Sequence, residues 1–353
     1  MSDSKTNTAV ARRRTACGWS QAELARCTGI PRTTISAIEG KRLTPSVITA
    51  LALARALECS VEELFGSGLM ESVASSSAWA WLPHSEPCRY WEAEVGGRRW
   101  LYPVEGLSLN ETPHDGIWQR GAGHDSGAAM AEETLVLACC DPAAGLLASE
   151  YARDSGFRLL VIERSGGAAL ELLKQGLVHL AGLHRSTPDR PGRNVETVRE
   201  KLGSGYRLLR AAKWQEGLAV PVADRSNSPT AIVRQCRRWA LREQGSAARE
   251  CLDELLGGQP ASGKPVHGHS AVAEAIRSGW AGAGVCVQLT AEDAGLHFIP
   301  VRTEMLDICY SDSLAHDPRM LALIRILRSR SHRRLISELP GYDASETGEI
   351  IGA

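Results

Sequence analysis

Two serines in this chain stand where a helix start can hold an anion. Ser165-Gly166-Gly167 follows the apolar run at 158–162 and opens an amphipathic stretch to about Gln175. Ser246 follows Gly245 and opens another stretch to about Leu256. At each position the exposed amides, a hydroxyl and the helix dipole favour negative charge. Arg242 and Arg249 add fixed positive charge and planar donor forks around the second serine. This is binding chemistry, suited to an oxyanion or to a phosphate- or carboxylate-bearing metabolite. As plain structural residues the two serines are N-caps and Arg249 is a solvated helix residue. Cys140, His184, His267 and His269 are donors of the kind that a soft or borderline cation takes, although nothing in their spacing enforces convergence. Catalysis has no motif behind it: there is no G-x-S-x-G elbow, no phosphate-binding loop and no paired-histidine zinc helix. The expectation is therefore a binding protein and not an enzyme.

A second kind of chemistry sits near the start of the chain. Residues 20–40 predict two short helices joined by a tight turn. Ser20 and Glu23 form an S-x-x-E capping box. Gly29 falls where the turn needs positive φ, and Pro31 suits the first turn of the second helix. Ile35 and Ile38 anchor that helix inward, which leaves Arg32, Thr33, Thr34, Ser36 and Ala37 outward. Short polar and cationic groups on one exposed face can reach base edges and phosphates.

Gly18-Trp19-Ser20-Gln21-Ala22-Glu23-Leu24-Ala25 and Thr34-Ile35-Ser36-Ala37-Ile38-Glu39 resemble the motifs of the Xre/Cro/lambda-repressor-like helix-turn-helix family over residues 10–65. Two departures are Pro31, where the family has a small polar residue, and Gly40, which follows Glu39 directly. The resemblance implies a five-helix head, with Thr44-Pro45 opening the fourth helix and a Ser60–Glu63 box capping the fifth. It also implies that Gln21 touches a phosphate, that Arg32, Thr33 and Thr34 lie in the major groove, and that Lys41 and Arg42 hold the DNA backbone.

At 353 residues and a formal net charge of −1, the chain has room for two or three domains and no global cation excess. DNA affinity must then come from local clustering, here Arg12, Arg13, Arg14, Arg26, Arg32, Lys41 and Arg42. No run of about 18 apolar residues predicts a membrane span. No secretion signal opens the chain, and the ten cysteines lack C-x-x-C spacing. These features predict a cytoplasmic protein whose thiols are mostly structural. The expected domains are a head at 1–66, a linker with a small β region at 67–133, and an α/β module at 134–353. In the middle part, the runs at 90–95 and 98–102 flank Gly96-Gly97 and predict a hairpin with a primed turn, with Trp91 and Trp100 packed on it.

From Thr134 onward strands and helices alternate, which implies a mostly parallel sheet. Cys140-Asp141-Pro142-Ala143, Ser165-Gly166-Gly167, Leu180-Ala181-Gly182-Leu183-His184, the stretch Arg242 to Arg249, His269-x-Ala271-Val272-Ala273 and Gly341-Tyr342-Asp343 resemble, in that order, the type II periplasmic-binding-protein fold. They resemble more closely the cytoplasmic relatives of that fold that are fused to Xre-like heads and associated with molybdate or molybdopterin proteins. The departure is Gly282, where relatives often carry aspartate. The resemblance implies two lobes with a ligand between them at strand ends. Lobe one would supply Cys140, Asp141, Ser165, Gly166 and His184. Lobe two would supply Arg242, Gln244, Ser246, Arg249 and His269. The expectation is a multidomain regulator: an all-α head binds a double-stranded DNA operator as a homodimer or higher homo-oligomer. The rear module senses a small anion, with molybdate, tungstate or a molybdenum-cofactor-related molecule leading. A copper- or zinc-sensing repressor and a DNA-tethered metabolite enzyme are the competing readings.

Overall fold

The computed structural model describes residues 8–40, 42–57, 59, 61–65, 78–105, 112–119, 122–125, 130–224 and 228–352, and the chain forms two compact units, 1–76 and 77–353. Lys41 and Ser60 lie outside the described residues.

The head contains α1 (Ala9–Ala16), α2 (Gln21–Thr28), α3 (Arg32–Glu39), α4 (Val47–Ala56) and α5 (Val61–Phe65). Val10, Leu24, Ile35, Ile38, Leu53 and Leu64 meet in its core. The capping box forms at α2: Ser20 Oγ accepts from the Glu23 amide, and the Glu23 carboxylate accepts from the Ser20 amide. Gly29 ends α2 at φ 70°, a left-handed conformation that a side chain would strain. Two sequence expectations shift. Pro31 lies just outside α3 and its carbonyl accepts from the Ile35 amide, so it precedes the first helical turn instead of filling it. The cap of α4 is Ser46, which accepts from the Thr49 amide, and not Thr44. Both offsets arise because the residue whose carbonyl closes the first turn defines the cap.

The second unit begins with a five-stranded sheet, β1 (Ala78–Trp79), β2 (Cys88–Val95), β3 (Arg98–Pro103), β4 (Gly116–Gln119) and β5 (Ala122–Asp125), ordered β1-β3-β2-β4-β5. Gly96 and Gly97 turn β2 into β3 at φ 61° and 75°, as a primed turn requires. The expected hairpin is thus the centre of a larger sheet. Nor is the region a bare connector: Trp91 and Tyr102 are buried with Val136, Ala138, Leu160 and Ile162 of the α/β module. Arg158 bridges to Asp115 at 2.5 Å, and Tyr102 donates to the Leu177 carbonyl at 2.7 Å.

The α/β module runs β6 (Thr134–Cys139), α6 (Ala144–Ser155), β7 (Arg158–Glu163), α7 (Gly166–Lys174), β8 (Leu180–Ser186), α8 (Arg193–Leu202), β9 (Tyr206–Val220), α9 (Pro229–Gln235), β10 (Trp239–Arg242), α10 (Ala247–Leu255), β11 (Gly263–Val266), α11 (Gly268–Arg277), β12 (Ala283–Val287), α12 (Gln288–Asp293) and β13 (His297–Ser311). It then continues through α13 (Pro318–Leu327), α14 (Arg330–Ser337), β14 (Tyr342–Asp343) and β15 (Ile350–Gly352). The strand order is β11-β10-β12-β9-β13-β8-β6-β7. Strands β9 and β13, 15 residues each, pair antiparallel from His297↔Val220 to Ser311↔Tyr206. Lobe one gathers on their β8 side and lobe two on their β12 side. The pair is the spine between lobes, and α13 and α14 return to the core of lobe one. The alternating pattern anticipates the outer strands but not this spine.

Candidate functional site

On the head, Arg32 and Thr33 are exposed, and Thr34 and Ser36 half-buried, on the face of α3 opposite Ile35 and Ile38. Arg42 is exposed just past α3, its amide bonded to the Ala37 carbonyl. Gln21 is partly committed: its amide donates to Glu39 at 2.7 Å, and Arg14 grips the same carboxylate at 2.7 Å. This cluster ties α1, α2 and α3 together. Gln21 thus helps to hold α3 in place.

In the second unit, the ends of β6, β8, β10 and the start of α11 converge beside the spine. Cys140 Sγ lies 3.1 Å from His184 Nε2, and His184 Nδ1 lies 2.5 Å from Glu304 Oε2. Trp214 Nε1 donates to the same Glu304 oxygen at 3.3 Å, and Arg302 Nε donates to Glu304 Oε1 at 2.7 Å. Arg302 also reaches Glu216 at 3.2 Å. The His269 ring sits 6.0 Å from that of His184 and 6.1 Å from that of Trp214. Every one of these groups except Arg302 is buried. Among the described residues, both ring nitrogens of His269, Nη1 of Arg242 and Oε1 of Glu216 are buried without a hydrogen-bond partner.

The electrostatics follow from that burial. Removal from water alone pushes the His184 imidazole down; the charge and hydrogen bond of Cys140 more than reverse this and leave it above the ordinary histidine value. His269 falls well below that value, first through burial and then through the positive charge of Arg242 and His184. Glu216 rises well above the carboxylate range, first through burial and then through its neighbour Glu304.

Toward solvent the cluster opens on a cavity of about 620 Å³, whose walls include Cys140, Ser165, Arg242, Glu243, His267 and Gly268. The small sheet closes one side with Trp91, Pro103 and Glu105. The walls carry both signs of charge. Arg242 pairs with Glu243 at 2.9 Å and Arg164 with Glu105 at 2.8 Å, while Glu163 is raised chiefly by burial.

Several expected ligand residues do other work. Asp141 Oδ1 accepts from the Ala143 amide at 2.9 Å and from the Tyr342 hydroxyl at 2.6 Å, so it braces the start of α6. Ser246 caps α10 through the Arg249 amide. Arg249 itself bridges to Asp253 at 2.9 Å. Gln244 is exposed. Gln244, Ser246 and Arg249 are not among the residues that line this cavity. Gly166 abuts lobe one's own backbone at Leu183. Cys140, His184 and His269 converge, as the metal alternative required, whereas His267 lines the cavity outside that cluster. Trp214, Glu216, Arg302 and Glu304 had no motif to announce them.

Comparison with known proteins gives the chain its relatives. A helix-turn-helix family model matches residues 10–64. A model described as the PBP superfamily domain matches residues 148–328, just over half of the chain. The uncharacterized protein YvgK of Bacillus subtilis (strain 168) is 31% identical over 188 residues, covering 50% of this chain and 60% of that protein. The chain therefore spans less than two thirds of the length of this curated relative. A putative phosphate ABC transporter substrate-binding protein with bound phosphate from Clostridium perfringens aligns at 11% identity and TM-score 0.47, over 59% of this chain and 99% of that one. Reduced OxyR from N. meningitidis aligns at 15% identity and TM-score 0.42, over 60% and 98%. No described helix is long and apolar enough to cross a membrane. A two-lobed α/β module on a continuous spine, preceded by a helix-turn-helix head, belongs to the family of the PBP superfamily domain.

Proposed function

We propose that this chain is a ligand-responsive DNA-binding regulator, working in the cytoplasm as a homodimer on a pseudo-palindromic operator. The head lays α3 in the major groove. One such head contacts too few base pairs for a genome-scale search, which is the reason to expect pairing. The α/β module closes its lobes on a small anion, with molybdate or tungstate first among the candidates through the family resemblance. The reading rests on one observation: Arg242, on the cavity wall where the lobes meet, keeps its Nη1 buried with no partner. Buried polar groups left unpaired cost about 1–3 kcal/mol each, so a ligand that bonds to them favours the closed form. Closure transmitted to paired heads would change operator affinity through a coupling of about 1–3 kcal/mol. The combination of a DNA-binding head with a binding-protein fold supports a regulator over an enzyme.

The test is calorimetric titration of the full chain with molybdate, tungstate, phosphate and sulfate. Binding to duplexes selected from a random library is then measured with and without each anion. One anion should bind with about one site per chain, lose affinity in Arg242→Gln, and shift the duplex affinity. If none binds and duplex affinity never moves, the proposal fails.

A further inference from the structure

We propose that Cys140, His184 and His269 bind one thiophilic divalent cation of the zinc type, with its fourth coordination position open to the interlobe cavity. This goes beyond the anion reading and does not depend on it.

The donor atoms of these three residues all lie within 4.8 Å of one another, and all three residues are buried. One thiolate and two imidazoles suit zinc and its borderline neighbours, not magnesium or calcium, which take oxygen. The geometry also supplies the parts that a metal site needs around its ligands. Glu304 takes His184 Nδ1 at 2.5 Å, which fixes the ring and leaves Nε2 facing Cys140. A carboxylate behind a ligating histidine orients it and raises its basicity. Glu304 is itself held by Trp214 and Arg302. Cys140 Sγ and His184 Nε2, now 3.1 Å apart, need to spread only to the roughly 3.5 Å that zinc bond lengths imply. Cys140 is also the one of the three that lines the cavity, so the open position faces that way.

The same Cys140–His184–Glu304 line would also serve a nucleophilic thiol. His269 decides between the two. A nucleophile chain has no use for a second buried imidazole whose nitrogens both lack partners, whereas a cation consumes it as a ligand.

The experiment uses the full chain, stripped with a chelator and titrated with Co²⁺ in buffer free of oxyanions, followed by displacement with Zn²⁺. The expected result is one Co²⁺ per chain, with the thiolate-to-cobalt charge-transfer band and the intense visible bands of a tetrahedral site, all bleached by Zn²⁺. Cys140→Ser should lose the thiolate band and His269→Ala the stoichiometric binding. His267→Ala should keep both. Glu304→Gln should weaken binding about 10–100-fold. Absence of the thiolate band from the wild-type protein, a measurement that needs no variant to fold, overturns the proposal. So does persistence of the band in Cys140→Ser, which would place the cation on another cysteine. Anion binding and duplex affinity are read separately, so failure of the regulatory reading leaves this result standing.

Discussion

The guanidinium of Arg185, at the end of β8 in lobe one, lies 2.8 Å from the carboxylate of Glu250 on α10 in lobe two. The same guanidinium donates to the Gly245 carbonyl at 2.6 Å. These bonds join the two lobes directly. Glu250 is 41% exposed, so the ion pair by itself is worth at most about 1 kcal/mol. Arg185→Ala removes both bonds and should weaken ligand affinity roughly five-fold by favouring the open form. Glu250→Ala keeps the carbonyl bond and should cost less. Calorimetry with the cleft ligand, together with the radius of gyration from solution scattering, checks the order. Equal affinities for wild type and both variants would rule out this effect.

On the head, Arg32 and Arg42 should separate cleanly. Arg32 opens α3 and is exposed, placed to read a base edge. Arg32→Ala should cost about 1–3 kcal/mol on a selected duplex and little on random DNA. Arg42→Ala should weaken both duplexes alike and flatten the salt dependence by about one charge. Fluorescence anisotropy across a salt series measures both effects. A uniform loss with Arg32→Ala would move that residue from the bases to the phosphates.

A third expectation concerns acid. His179 is buried between α7 and β8, and its Nδ1 accepts the Val136 amide at 3.0 Å. Burial, chiefly, lowers its pKa to about 4. Its folded value lies below its unfolded one. Between pH 6.5 and about 4 the unfolded chain therefore binds a proton that the folded chain refuses. The sign is fixed: this stability is present above pH 6.5 and lost as pH falls toward 4, on the order of 3 kcal/mol in all. His179→Gln keeps an acceptor for Val136 and no titrating group. Urea unfolding at pH 7.5 and pH 5 should show a smaller difference in the variant. An unchanged difference would place the acid sensitivity elsewhere.

The parts that were legible in the sequence are those whose determinants are local. The Ser20–Glu23 box, Gly29 and the Ile35/Ile38 pair each fix one turn of chain, so the head could be drawn from a 21-residue stretch. The hairpin at Gly96-Gly97 follows from two glycines that a primed turn needs. The site was half legible. Cys140, His184, Arg242 and His269 end or follow recognisable strands and helices, but their surroundings depend on register. Glu304 reaches His184 only because β13 runs beside β8 with a shift between Met305 and Asp307, and no spacing in the sequence records a partner 120 residues away. The 15-residue spine strands also mix charged and apolar residues on both faces, since parts of each face are covered by lobes and parts by ion pairs. That mixture hides the period-two pattern a half-buried strand shows. For Asp141, Ser246 and Arg249 the sequence leaves two roles open, because a helix cap and an anion site share the same residue types; in the structure Asp141 and Ser246 hold amides at helix starts and Arg249 pairs with Asp253.

The last expectation tests how tightly the lobes meet. Gly268, the first residue of α11 in lobe two, has φ +77°, and a Cβ there would lie 1.8 Å from Oε1 of Glu163 in lobe one. The carboxylate ends a flexible side chain and can swing away, so the clash alone is not decisive. The backbone conformation has no such escape, and a left-handed non-glycine residue costs about 1–2 kcal/mol. Gly268→Ala should therefore lower the melting temperature of the second unit modestly and also hinder closure, because Glu163 must leave its place on the cavity wall. Glu163→Ala in the same background removes the clash but not the strain. The double variant should regain ligand affinity while remaining less stable than wild type. If the double variant stays as weak in binding as Gly268→Ala, the contact between these two residues does not limit closure, and the strained turn alone accounts for the loss.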